Sequence, residues 1–215
     1  AAVQKLPPPV TPVTADAQIA TPTHGGRAKC LQRLVRLDLP VPRTVALSFD
    51  CVRGIARGRP PEVAAILESF PAEALVCVRP SSEDPDWGGP GAVLNIGMNE
   101  ARRAALAQSL GEAAAARLYL RFVQSYALHV ARLDPDLFEG DEEEGPEALA
   151  RALDAYEAEA EEPFPQDRSV QLAAVLRSMA RAWDGTTARL LRQAKGAPAD
   201  AGLGLVVQEM ALGLG

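Results

Sequence analysis

Ala74-Leu75-Val76-Cys77-Val78-Arg79 runs into Pro80-Ser81-Ser82-Glu83-Asp84-Pro85-Asp86-Trp87-Gly88-Gly89-Pro90-Gly91-Ala92-Val93-Leu94-Asn95, and the fold is read outward from this stretch. A short apolar run bounded by turn residues predicts a buried strand. It brings Arg79 to the strand's carboxyl end, where open α/β sheets hold their ligands. Gly88, Gly89 and Gly91 then leave the backbone bare, so successive N–H groups can close on an anion as in a phosphate-binding nest. A cation beside such a loop points to phosphate; an ordinary Gly/Pro-rich turn accounts for the same residues.

Downstream, residues 92–96 resume a short strand, and Asn99 can cap a helix running to about Leu110. Upstream, residues 44–49 alternate as a strand, and residues 50–67 read as helix broken near Pro60-Pro61. Arg53, Arg57 and Arg59 in that segment are expected to form a solvated face. Leu39-Pro40-Val41-Pro42 ends an earlier helix, because each proline biases its predecessor toward extended backbone. That helix opens at Thr23-His24-Gly25-Gly26-Arg27-Ala28-Lys29-Cys30-Leu31, with Leu31, Leu34, Val35 and Leu37 at helical spacing. Two glycines before a helix start can bring backbone donors and the positive dipole end to a phosphate, with Arg27 adding charge; a flexible entry to a surface helix is the alternative. Residues 1–22, with Pro7-Pro8-Pro9, Pro12 and Pro22, read as a proline-rich leader or extended arm that buries little.

Beyond the glycine loop, the chain changes to long Ala/Leu/Arg/Glu helices from Glu112. Leu118, Phe122, Tyr126, Val130 and Leu133 share one stripe and are expected in the core, with His129 beside them as a structural histidine. Asp141-Glu142-Glu143-Glu144-Gly145-Pro146 marks a solvated loop, metal binding being the alternative. Leu172, Val175, Leu176, Met179 and Trp183 have helical spacing over 168–193, capped by Asp167 or Ser169. Residues 111–200 therefore read as a helical subdomain inserted after an α/β lobe of residues 23–110. Gly202-Leu203-Gly204-Leu205-Val206-Val207-Gln208-Glu209-Met210 returns to strand composition. Such a strand can offer backbone groups to a purine edge, with Met210 as an adaptable wall, or can simply close the core.

Composition narrows the function. A chain of 215 residues buries about 70% of its unfolded surface without staples. The net charge of -6 gives no general attraction to nucleic acid or anionic membrane, so any anionic ligand must be held by local cations. Cys30, Cys51 and Cys77 lack metal-ligand spacing and read as reduced thiols of a cytoplasmic protein; two histidines exclude a histidine-rich metal site. No apolar run is long enough to cross a bilayer.

In order along the chain, Gly25-Gly26-Arg27, Leu39-Pro40-Val41-Pro42, Val78-Arg79, Val93-Leu94-Asn95-Ile96-Gly97-Met98-Asn99, Phe122 to Tyr126, Phe164-Pro165-Gln166, Arg181-Ala182-Trp183-Asp184 and Val206-Val207-Gln208-Glu209-Met210 resemble the N-terminal nucleotide-binding domain of the pyruvate phosphate dikinase and phosphoenolpyruvate synthase family. The resemblance implies an α+β, ATP-grasp-like fold, partial here, in which two lobes sandwich ATP and Mg²⁺. It implies a kinase of paired acceptors: a phosphoryl group passes from ATP to a histidine of a separate domain, and from there to pyruvate, giving phosphoenolpyruvate. By the same resemblance Arg27 stands where the family has a phosphate-contacting lysine, and Arg79 matches the arginine after the central strand, with a catalytic role. Gly88, Gly89 and Gly91 would cover the phosphates. Gln208, Glu209 and Met210 would form the hinge beside adenine, opening a second lobe from about residue 201. The family's metal-binding acids, phosphohistidine domain and pyruvate-binding barrel would lie beyond Gly215, and a half domain with open strand edges favours a homodimer. Arginine for lysine and the acids Glu83, Asp84 and Asp86 depart from the family pattern. The alternative reading is therefore a non-catalytic dikinase-like module with a degenerate nucleotide site.

Overall fold

The computed structural model describes residues 6–139 and 145–212. The acidic run Asp141 to Glu144 lies outside the described residues, as does the chain end from 213 onward. The core strand is β3 (Val76–Ser81), with β2 (Thr44–Leu47) and β4 (Val93–Ile96) where the patterning put them. A short 3₁₀ turn, Pro85–Trp87, capped by Gly88, lies between β3 and β4. Helices α3 (Phe49–Ala56) and α4 (Val63–Leu67) flank the Pro60-Pro61 break. α5 (Glu100–Leu110) starts at Asn99, whose side-chain oxygen accepts the Arg102 N–H at 2.7 Å and so satisfies one of the helix's free N-terminal donors. α6 (Glu112–His129), α7 (Pro146–Ala160), α8 (Arg168–Asp184) and α9 (Thr186–Ala194) fill the helical stretch. Asp167 caps α8, and Gly185 separates it from α9.

The last strand, β5 (Gly204–Glu209), decides the topology. Among the described residues the sheet has the order β1-β2-β5-β3-β4, and every neighbour pair is antiparallel. One sequence expectation is corrected here. An antiparallel sheet lacks the common carboxyl edge that an open parallel sheet offers, so the end of β3 is not a ligand edge of that kind. Residues 204–209 belong to the same sheet as the strands before them: β5 is its middle strand, and Leu205, Val206 and Val207 are fully buried. The proline-rich segment is corrected too. Its β1 (Val10–Pro12) pairs with β2, and Ile19 is buried. Proline is tolerated there because β1 is an edge strand, where a missing N–H breaks no central ladder.

Alternation sorts the sheet residues into two faces, since cross-strand partners share a side. Val45, Leu47, Val76, Val78, Leu205 and Val207 join the main core with residues of α3, α6 and α8. Ala46 and Val206 turn the other way, into a small core with Ile19 and Ala28 under α2 (Gly26–Arg36). Gln32 of α2, fully buried, ties the N-terminal segment down: its amide donates to the carbonyls of Thr14 at 3.1 Å and Ala17 at 2.7 Å. The helices of residues 111–200 thus cover one face of the sheet, and α2 with the N-terminal segment covers part of the other.

Candidate functional site

The β3–β5–β2 register sets Cys77 opposite Gln208 and Arg79 opposite Val206, and Gln208 opposite Thr44. On the face toward α2, the apolar end (Ala46, Val206) therefore gives way to a polar strip of Thr44, Gln208, Cys77 and Arg79. The Gln208 amide donates to Thr44 Oγ1 at 3.0 Å, and that hydroxyl donates to the Pro42 carbonyl at 2.8 Å. The Arg79 guanidinium lies against the Cys77 thiol; burial pushes that thiol's pKa up, and the arginine pulls it part of the way back. Arg79 and Gln208 stay partly exposed.

Arg27 reaches the same region, since its Nε donates to the Pro80 carbonyl at 3.0 Å and its side chain is exposed. The glycines before it do something other than hold open an anion site. Gly25 has φ +86, and an added Cβ would run into the Ser81 carbonyl, so Gly25 lets the start of α2 press directly on β3. Two donors of α2's first turn are already used: Gly26 N–H donates to the Ser82 carbonyl at 2.8 Å, and Ala28 N–H to Ser81 Oγ at 3.1 Å. Ser81 Oγ in turn donates to the His24 carbonyl at 2.7 Å.

The glycine loop lies on the opposite side. Gly88 and Gly89 have φ +83 and +146, and a methyl added at Gly89 would touch the Trp183 ring and Pro80. Pro80 is registered with Leu205, which faces the helical layer. So Gly88 and Gly89 side with Trp183 and Lys195, while Arg79 faces α2; the structure does not bring the two halves of the sequence-derived site together. Of the loop acids, Asp84 accepts the Asp86 N–H at 2.9 Å and caps a short 3₁₀ turn. Gly91 lies in open space. At the far end of β5, Met210 N–H donates to the Leu75 carbonyl at 2.8 Å and Glu209 N–H to the Arg43 carbonyl at 2.9 Å. Met210 also lines a cavity with Asn95, Leu110, Arg117 and Leu118.

Several residues take other roles than expected. His129 is exposed, not in the core, and what it contributes is its carbonyl, which accepts Ser178 Oγ at 2.7 Å. Cys30, Cys51 and Cys77 are all free; burial pushes the Cys51 thiol up to about 11. No group of three acidic, histidine or cysteine side chains among the described residues could hold a metal ion. No helix among them is long and apolar enough to cross a membrane. Sequence reasoning missed Arg192, which is only 4% exposed and stacks its guanidinium over Trp183 at 3.7 Å. The available signal was the (i, i+3) pair Arg189 and Arg192 on the short helix after Trp183.

No family model matches the chain. It is 27% identical to pyruvate, phosphate dikinase of Rhizobium meliloti (strain 1021) over 225 residues, covering 88% of this chain and 25% of that protein. The similarity points to the dikinase family. The chain spans about a quarter of the length of that relative. The architecture is α+β, with a five-stranded antiparallel sheet among the described residues.

Proposed function

We propose that this chain is the ATP-binding portion of a dikinase-like phosphotransferase, built as the first lobe of an ATP-grasp-like site. The supporting observation is the shared face: Arg79 and Gln208 on adjacent strands, with exposed Arg27 fastened to the neighbouring Pro80 carbonyl. Phosphoryl transfer asks the protein mainly for positioning and charge stabilisation, which two arginines beside a polar strip supply. Arg79 is held in extension along β3 and would contact the phosphates, while the end of β5 at Gln208, Glu209 and Met210 would flank the base. Bound ATP would supply the phosphoryl group and Mg²⁺ would neutralise its charge. On this reading the phosphohistidine domain and the pyruvate-binding barrel belong to parts of the protein outside this chain, and the reaction runs from ATP to histidine to pyruvate.

One observation favours a second reading, a non-catalytic dikinase-like module. Two N-terminal donors of α2, the Gly26 and Ala28 N–H groups, are spent on Ser82 and Ser81, and the glycine loop packs on Trp183, so neither is preset for phosphate. Incubating the full gene product with radiolabelled ATP separates the two. Transfer of label to an acid-labile, base-stable protein adduct, lost in Arg79→Ala, supports the phosphotransferase; an unlabelled product with intact fold supports the module.

A further inference from the structure

A cavity of about 500 Å³ opens between α3, the α8–α9 corner and the 199–203 segment. It lies on the helical side of the sheet, away from Arg79. Its walls include Phe49, Val52, Trp183 and Leu203, and four arginines enter it: Arg53 and Arg57 from α3's end, and Arg189 and Arg192 from α9. Asp184 and Asp200 are the acids present. Two arginines are already compensated, Arg53 by Asp50 at 3.0 Å and Arg189 by Asp184 at 2.7 Å. No ion pair joins Arg57, Arg192 or Asp200 to any group among the described residues.

Arg192 is the telling residue. Cations at helix C-termini are ordinary on a surface, because they complement the dipole in water. Arg192 is instead 4% exposed, with the Trp183 carbonyl at 2.9 Å and the Trp183 ring at 3.7 Å as its partners; Asp184 is near enough to act on it but is already paired with Arg189. A guanidinium carries five donors and stays charged, and burying it without an anion is costly. A protein of net charge -6 has no general reason to gather uncompensated arginines around a concave, aromatic-walled space.

We infer that this cavity is a binding site for a small organic phosphate, with the anionic group held by Arg57 and Arg192 and the organic body against Phe49, Val52 and Trp183. Arginine suits such a group because its planar fork pairs with phosphate oxygens two at a time. Trp183 also gives the site a physical link to the glycine loop, since Gly89 packs on the same indole that Arg192 covers. The inference is independent of the proposed nucleotide face, which lies across the sheet.

Isothermal titration of the chain with phenyl phosphate tests it, with phenol as the uncharged comparison. The Arg57→Ala variant removes an exposed side chain at the end of α3 and should keep the fold, checked by its unfolding transition. The expected result is saturable binding that phenol does not reproduce, weakened at least tenfold in Arg57→Ala. In a Trp87→Phe background the same titration should quench Trp183 fluorescence. Absence of saturable binding, equal binding of phenol, or binding lost in Arg79→Ala but kept in Arg57→Ala would each overturn the inference.

Discussion

Individual residues at the crossing of α2 and β3 carry unusual demands. Gly25 sits at φ +86 against the Ser81 carbonyl, so Gly25→Ala adds both backbone strain and a clash. We expect a loss of at least about 2 kcal/mol in denaturant unfolding, since a strained position alone costs about 1–3 kcal/mol. Next to it, His24 is fully buried, its Nδ1 within 2.7 Å of Thr23 Oγ1 and its Nε2 without a partner. Burial lowers its pKa from 6.5. Above that pH both folded and unfolded chains hold a neutral imidazole, and the shift costs nothing. Below it the unfolded chain takes up a proton that the native His24 resists, so acid drains stability, by at most about 1.4 kcal/mol per pH unit. Unfolding measured between about pH 7.5 and 5.5 should therefore show a steeper loss for the native protein than for His24→Gln. The sequence pattern Gly25-Gly26-Arg27 signalled a special backbone here, but it could not say whether bare backbone meets a phosphate or another strand, because both need the same missing Cβ.

At the scale of elements, local signals were read well where they were local. Asn99 and Asp167 cap the helices they precede, and the Pro60-Pro61 break falls between α3 and α4. The stripe on α6 is core at Phe122 and Tyr126, but α6 ends at His129, so Val130 and Leu133 pack from outside the helix. The place of Phe164 was not legible in the sequence. It lies outside any helix or strand, yet its ring centroid is 5.1–5.9 Å from those of Tyr119, Phe122, Tyr126 and Tyr156, in edge-on or steeply inclined contacts. It thereby locks α6 to α7. Removing a buried phenyl ring costs about 3–5 kcal/mol, and Phe164→Ala should lose that much in thermal or denaturant unfolding. Nothing in a Phe-Pro-Gln tripeptide announces a fourfold aromatic contact, because three of the four partners, Tyr119, Phe122 and Tyr126, lie on a helix far away in sequence.

For the molecule as a whole, the topology was the least legible feature. The same apolar pattern in β5 serves an edge strand or a central one; only pairing distinguishes them, and β5 enters the sheet between β2 and β3, whose segments are more than 100 residues earlier. That insertion is also what puts Gln208 beside Cys77 and Thr44 and gives the Arg79 face its polar strip. The candidate site was legible as residue types, two arginines and a Gln-Glu-Met strand end, but not as a grouping, since alternation along β3 and the path of the loop send Arg79 and Gly89 to opposite sides. The central claim is that the Arg79 face binds ATP. Isothermal titration of this chain with Mg-ATP, alongside Arg79→Ala, tests it most directly. The account predicts saturable binding that Arg79→Ala weakens at least about tenfold, as loss of a charge-assisted hydrogen bond should; no saturable heat, or an affinity unchanged by Arg79→Ala, would contradict it.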